Sequence, residues 1–254
     1  VLEKDYKIDS MPKTREGVDL ALADVTRHPV REYLRSLIWD GEKRCETLFI
    51  DYLGAEDSRY TRTVTRKALI GAAARILSPG CKHDHMLVLI GPQGCRKSTT
   101  LKKLGKEWFS DSLYTMSGKD AYEQLQGFWI IELSEMAATR KAEVEQIKQF
   151  VSKQEDNYRA AYARRTQCHP RQCAFFGTTN DEEFLRDPTG ARRFWPVVVT
   201  DAGKTLGDKL TASIVDQIWA EAVTYYETGE TWYLDGAVEE MARRVQADHT
   251  VADG

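Results

Sequence analysis

No apolar run in this sequence approaches the ~20 residues needed to cross a bilayer, and no signal-peptide pattern opens it. The expectation is a soluble, intracellular chain with no membrane partner. An excess of one charge is also missing. The 36 Lys and Arg stand against 39 Asp and Glu, for a formal net charge of −3. That excludes a protein that coats nucleic acid with its whole surface and confines any such contact to a local basic patch. Cysteine is scarce and odd in number, at Cys45, Cys81, Cys95, Cys168 and Cys173. The irregular spacing excludes a disulfide framework and points to free thiols in a reducing compartment. There is no internal repeat and no low-complexity segment. The chain starts at Val1 rather than Met, which leaves open that it is a piece of a longer polypeptide.

What is present suffices for a core: 254 residues, 42% of them hydrophobic. From about Asp19 to Leu77 the apolar residues fall at helical spacing. Val30, Tyr33, Leu34, Leu37 and Ile38 form one stripe, and Ala68, Leu69, Ala72, Ala73, Ile76 and Leu77 another. Ser78-Pro79-Gly80 ends that pattern. Beyond it, Met86–Ile90, Phe128–Ile131 and Cys173–Phe176 are short unbroken apolar runs, as expected of strands buried on both faces of a parallel sheet. The amphipathic stretch of Val144, Ile147 and Val151 lies between the second and third. Strands alternating with helices imply an α/β sheet. After Val197-Val198-Val199 the helical period returns at Leu210, Ile214, Ile218 and Ala222, then at Val238, Met241 and Val245. The expected organisation is a helical segment over 1–80, an α/β core over 81–203 and a helical tail over 204–254.

The chemistry concentrates in the core. Gly91-Pro92-Gln93-Gly94-Cys95-Arg96-Lys97-Ser98-Thr99 lies between the first buried strand and a helix, the context a phosphate-binding loop requires. Small residues let backbone N–H groups close around phosphate, and the helix N-terminus adds its positive dipole end. Lys97 would reach the β- and γ-phosphates and Ser98 would hold Mg²⁺. Arg96 stands where a glycine is usual, so its side chain must turn away from the loop or join the phosphate contacts.

Phe128-Trp129-Ile130-Ile131-Glu132 is an apolar strand ending in a carboxylate at the sheet edge where α/β proteins bind ligands. Glu132 is the candidate for the metal shell and Glu135 for the general base, and the two roles are interchangeable on sequence alone. Asn180, at the tip of Phe175–Asn180, suits the placing of a water against a γ-phosphate. Arg192 and Arg193, in Asp187–Val197, are candidates for an arginine finger, and either one suits the role. Tyr158–Arg171 carries Arg159, Arg164, Arg165 and Arg171 with interleaved tyrosines and no acid. It fits a basic hairpin near 156–171 that grips a nucleic-acid backbone and stacks on bases. Cys81, His83 and His85 have a spacing that matches no common zinc module, so no zinc site is expected there.

The sequence of phosphate loop, acid-tipped strand, basic hairpin and Asn-tipped strand between Gly91 and Asn180 resembles superfamily 3 helicases, a branch of the AAA+ P-loop ATPases. More closely, Gly91–Gly94, Ile131–Glu135, Gly177–Asn180 and Arg192–Val197 resemble the virulence-associated protein E family of phage and prophage proteins. That resemblance implies an AAA+-like P-loop NTPase core that uses ATP and Mg²⁺. It further implies a homo-oligomeric ring, hexameric or similar, with Arg192 or Arg193 reaching a neighbour's nucleotide. Single-stranded DNA in the pore would meet the hairpin, and a primase domain is an expected partner. The function so implied is a DNA helicase or translocase that replicates a mobile element in a bacterial cytoplasm. Two alternatives remain at this stage: a catalytically weak nucleotide- and DNA-binding assembly module, and a DNA-triggered ATPase switch in defence.

Overall fold

The computed structural model describes residues 27–134, 141–159, 166–185 and 188–250. The first helices are α1 (Pro29–Ser36), α2 (Leu48–Leu53) and α3 (Arg59–Leu77). Their starts are legible in the side chains. His28 Nδ1 accepts from Arg31 N at 3.1 Å, with Pro29 opening the first turn, and Ser58 Oγ accepts from Thr61 N at 3.1 Å. These contacts satisfy amides that the helix itself leaves without partners. The stripe read through Ile38 stops sooner than its spacing implies. Leu37 is extended at φ −78°, ψ 142°, and Ile38 is 84% exposed. The second stripe lies on α3 and is buried, except for a half-buried Leu77.

The centre is a parallel sheet of β1 (Met86–Ile90), β2 (Phe109–Ser110), β3 (Ile130–Leu133), β6 (Ala174–Thr179) and β7 (Phe194–Val198), in the order β2-β3-β6-β1-β7. An antiparallel ribbon of β4 (Glu155–Tyr158) and β5 (Gln167–Pro170) is inserted before β6. The two-residue β2 is too short to leave a sequence pattern. The second apolar run begins later than its composition suggests, because Gly127 turns the chain at φ +84° and leaves Phe128 partly exposed. Pro196 is tolerated in β7 because that strand is an edge with a single neighbour, β1.

Both faces of the sheet are covered, which is why its strands read as continuous apolar runs. Leu87, Leu89, Ile130, Phe176, Trp195 and Val197 pack with α3, with α4 (Lys97–Gly105) and with α8 (Ala212–Glu227). Met86, Val88, Ile90, Ile131, Phe175 and Phe194 pack with α5 (Gly118–Glu123) and α6 (Lys141–Val151). A short α7 (Gly203–Leu206) follows β7, and α9 (Gly236–Asp248) ends the described fold. The helices on either side of the sheet in sequence thus share one core. Trp129 and Trp219 meet there, tilted to one another, at 4.2 Å between ring centroids. Each indole N–H is satisfied by a carbonyl, Ala72 O at 2.8 Å and Leu104 O at 3.0 Å. No helix among the described residues is long and apolar enough to cross a membrane.

One polar contact cuts through this core. Buried Arg75 on α3 donates to His83 O at 2.8 Å and to Lys153 O at 3.2 Å, joining the approach to β1 to the root of the ribbon. Burial, followed by the nearby Arg75 charge, pushes the His83 imidazole well below its ordinary range and keeps it neutral. The ring lies against Gly71 in mid-helix, where any Cβ would overlap it. Gly71→Ala is therefore expected to destabilise by about 1–3 kcal/mol in urea unfolding, despite alanine's better helix propensity. Removing the ring in Gly71→Ala/His83→Ala should abolish that coupling, which a double-mutant cycle reads directly.

Candidate functional site

The loop after β1 is shaped by what surrounds it. A Cβ at Gly91 would overlap the Val199 carbonyl, and Gly94 turns at φ +83°. The helix α4 then begins with no side-chain cap and no acidic residue in its first turn. Its leading amides and dipole are left facing the cleft, the arrangement that holds anions at helix N-termini. The cleft is a cavity of about 460 Å³ whose lining includes Gly94, Lys97, Ser98, Thr178, Asn180 and Lys204, within the size range of small-ligand sites. Gln93 and Thr99 are exposed on its rim, while the Cys95 side chain is fully buried and contributes only backbone.

Lys97 is 8% exposed. Its ammonium donates to Gly91 O at 2.6 Å, Pro92 O at 2.9 Å and Asn180 Oδ1 at 2.9 Å, with Cys95 Sγ at 3.7 Å. Every one of these partners is neutral. No carboxylate among the described residues pairs with this charge, so the cleft holds a desolvated cation suited to an anionic ligand. Asn180, at the tip of β6, is thereby tied to the loop.

Glu132, at the C-terminal end of β3, is 1% exposed. Its Oε1 accepts from Ser98 Oγ at 2.6 Å and from Thr178 Oγ1 at 2.6 Å, while its Oε2 is buried without a partner. A buried carboxylate oxygen left unsatisfied beside a hydroxyl is a donor set that fits Mg²⁺, which takes one or two protein oxygens and fills its shell from water and phosphate. No cluster of three or more His, Cys, Asp or Glu gathers among the described residues. Magnesium needs none.

Arg96 resolves the anomaly of the loop. It sits at φ 70°, ψ 18°, the left-handed conformation that a glycine usually supplies, and its guanidinium points to Asp208 at 3.1 Å, outside the loop. The conformation costs on the order of 1–2 kcal/mol, and the half-exposed ion pair returns less than that.

The other sequence candidates separate spatially. Arg192 and Arg193 end the turn Pro188–Arg193 immediately before β7, whose Phe194 is in register with Met86, the first residue of β1. The glycine loop of Gly91–Thr99 follows the last residue of β1, so the arginines lie about 13 Å of strand away, at the opposite end of the sheet. Arg192 is exposed, and Arg193 Nε donates to Ser152 Oγ at 2.9 Å. Neither reaches the cleft of its own chain. Glu135, Arg164 and Arg165 lie outside the described residues. Arg159 is exposed just past β4.

Arg171 must be corrected. It is fully buried, forms a two-pronged pair with Asp156, donates to the Phe150 carbonyl, and lies over the Phe150 and Phe175 rings at 4.7 and 5.5 Å. It anchors the ribbon to the core and has no donor to offer a phosphate backbone. His83 packs on Gly71 and His85 stacks on Trp195 at 4.5 Å, so each histidine next to Cys81 serves packing.

The structure also adds residues that local sequence does not mark. Thr178 shares Glu132 with Ser98, Lys204 lines the cleft from beyond β7, and Asp208 holds Arg96. Thr178 has a signal of sorts, since it sits inside the Gly177–Asn180 motif. Lys204 and Asp208 have none, because only the return of the chain after β7 brings them near.

The family model for the Virulence-associated protein E-like domain matches residues 34–251. The chain belongs to that family. Among solved structures, an A-form apo structure of the NrS-1 C-terminal region is similar at a TM-score of 0.55 with 12% identity, over 84% of this chain and 54% of that one. A second apo structure of the same region gives a TM-score of 0.47 with 16% identity, over 86% and 51%. At such identity the likeness concerns the fold. This family member spans about half the length of those structures. No curated protein matches it.

Two outcomes are expected from this geometry. Arg171→Ala leaves Asp156 buried and unpaired and should cost about 3–5 kcal/mol of stability in urea unfolding, whereas Arg159→Ala should leave the unfolding midpoint unchanged. Arg96→Gly should keep or raise the thermal midpoint. The β-branched Arg96→Val, which tolerates the left-handed region worst, should lower it by about 2–4 °C per kcal/mol lost.

Proposed function

We propose that this chain is the ATPase core of a replication motor of a phage or other mobile element, a P-loop NTPase of the AAA+ and superfamily 3 helicase type. The observation that carries the reading is a complementary pair of charges beside one cleft, Lys97 in its lining and Glu132 buried behind Ser98 and Thr178. Among the described residues the buried Lys97 ammonium has only neutral partners, and the buried Glu132 carboxylate has an unpartnered oxygen beside Ser98. The strand order supports it, because β1 lies between β6 and β7 and its loop opens where connections leave in opposite directions, the usual ligand site of open α/β sheets. Membership of the virulence-associated protein E-like family supports a replication-associated role.

In this mechanism Lys97 leaves the Gly91 and Pro92 carbonyls for the β- and γ-phosphate oxygens of ATP. The amides at the start of α4 bind the same phosphates. Ser98 and Glu132 would hold Mg²⁺, which would supply neutralisation of phosphate charge. Asn180, adjacent to Lys97, orients the attacking water and Glu135 takes its proton, the metal and base roles of Glu132 and Glu135 being exchangeable. Arg192 or Arg193 serves a neighbouring subunit of a ring, a role that their distance from their own cleft supports. Single-stranded DNA meets the ribbon through Arg159, Arg164 and Arg165.

The test is ATP hydrolysis with and without single-stranded DNA, at a protein concentration that permits assembly. Wild-type turnover is expected to rise with DNA, and Lys97→Ala should lose it by a factor of about a hundred or more. Equal turnover in the two proteins would refute the assignment of the site. Hydrolysis that ignores DNA would refute the motor.

A further inference from the structure

We infer that Lys204 is a second phosphate-binding cation on the wall of the nucleotide cleft. The inference rests on the ATPase reading of that cleft and adds a residue that neither the loop nor the acid-tipped strand supplies.

The segment after β7 is laid against the phosphate loop along its length. Val199 N donates to Ile90 O at 2.7 Å, carrying the β1–β7 pairing past the end of the strands. Thr200 is held to the end of α2, its N–H donating to Leu53 O at 3.0 Å and its hydroxyl to Gly54 O at 3.2 Å. Gly203 is buried directly against the Cys95 carbonyl, and a Cβ there would overlap that oxygen. Farther on, Lys103 Nζ of α4 donates to Gly207 O at 2.8 Å and Leu210 O at 2.9 Å. Held this way at several points, α7 is part of the cleft wall.

Lys204 follows Gly203 on this wall. Its side chain lines the cleft, with Cε 3.9 Å from where a Cβ on Gly94 would stand. The ammonium is half exposed and pairs with Asp201 at 2.9 Å. A surface pair of this kind contributes at most about 1 kcal/mol, so exchanging Asp201 for a phosphate oxygen costs little. Lys97 is pinned inside the loop, whereas Lys204 has a flexible stem and reaches from solvent, which suits a contact made as the nucleotide enters. A charged hydrogen bond to phosphate in a partly desolvated cleft corresponds to about tenfold or more in affinity.

Isothermal titration calorimetry of ADP and of a non-hydrolysable ATP analogue, each with Mg²⁺, tests the assignment. Lys204→Ala is expected to weaken both ligands about tenfold or more with an unchanged unfolding midpoint, and Lys204→Arg to recover most of the loss. An alanine variant that binds like wild type overturns the inference while leaving the ATPase reading intact. An arginine variant as weak as alanine also overturns it, since shape rather than charge would then be at work. Wild-type protein that binds neither ligand overturns the ATPase reading and this inference together.

Discussion

A desolvated lysine ammonium surrounded by neutral oxygens is the constraint on which the rest of this structure turns. Its three oxygen acceptors come from two places, the carbonyls of Gly91 and Pro92 and the amide of Asn180. Holding them together requires that β1 and β6 be neighbours in fixed register, with Ile90 beside Thr179. It also requires that β7 lie close enough on the other side for Val199 to exclude any side chain at Gly91. Both sheet faces must then be covered, which is what the helices before and after the core do. The hydrophobic architecture thus serves to keep one cation partly dehydrated and in place.

Glu132 is the counterpart of that cation, and their separation into two sites is what makes the cleft chemically useful. Were the carboxylate to pair with Lys97, the two charges would cancel and neither would call for a ligand. Ser98 and Thr178 occupy Glu132 Oε1 instead, which keeps the acid apart from the lysine. Buried charges that find no complement among the described residues are costly to fold, and such costs are characteristic of sites shaped for something else to bind.

The same logic distinguishes the arginines. Arg171 has a full set of internal partners in Asp156, Phe150 O and two ring faces, and it reads as architecture. Arg75 also has neutral partners, two backbone carbonyls on one nitrogen, but it does not line the cleft and ties α3 to the root of the ribbon. Arg192 and Arg159 face outward. Sequence placed Arg171 among the nucleic-acid contacts because a run of basic residues has a uniform appearance in one dimension. Burial, which depends on where β5 ends against α6, separates its members.

Much of this protein follows from local sequence. The five-residue apolar run at Met86–Ile90 and the glycine loop, lysine and serine after it form a pattern of residue types whose physical demands are met within a dozen positions. The acid at the end of β3 and the amide at the end of β6 are similarly local, and so are the stripes of α3 and α8. What tertiary structure alone decided involves residues far apart in the chain. Arg96 is accommodated by Asp208, Lys204 is brought to the cleft by the return after β7, and Gly71 is required by the ring of His83. Periodicity and motif spacing report on a residue's near neighbours in sequence. Ion pairs, close approaches and the partners of a buried charge are set by packing between segments, and no stretch of sequence taken alone contains that information.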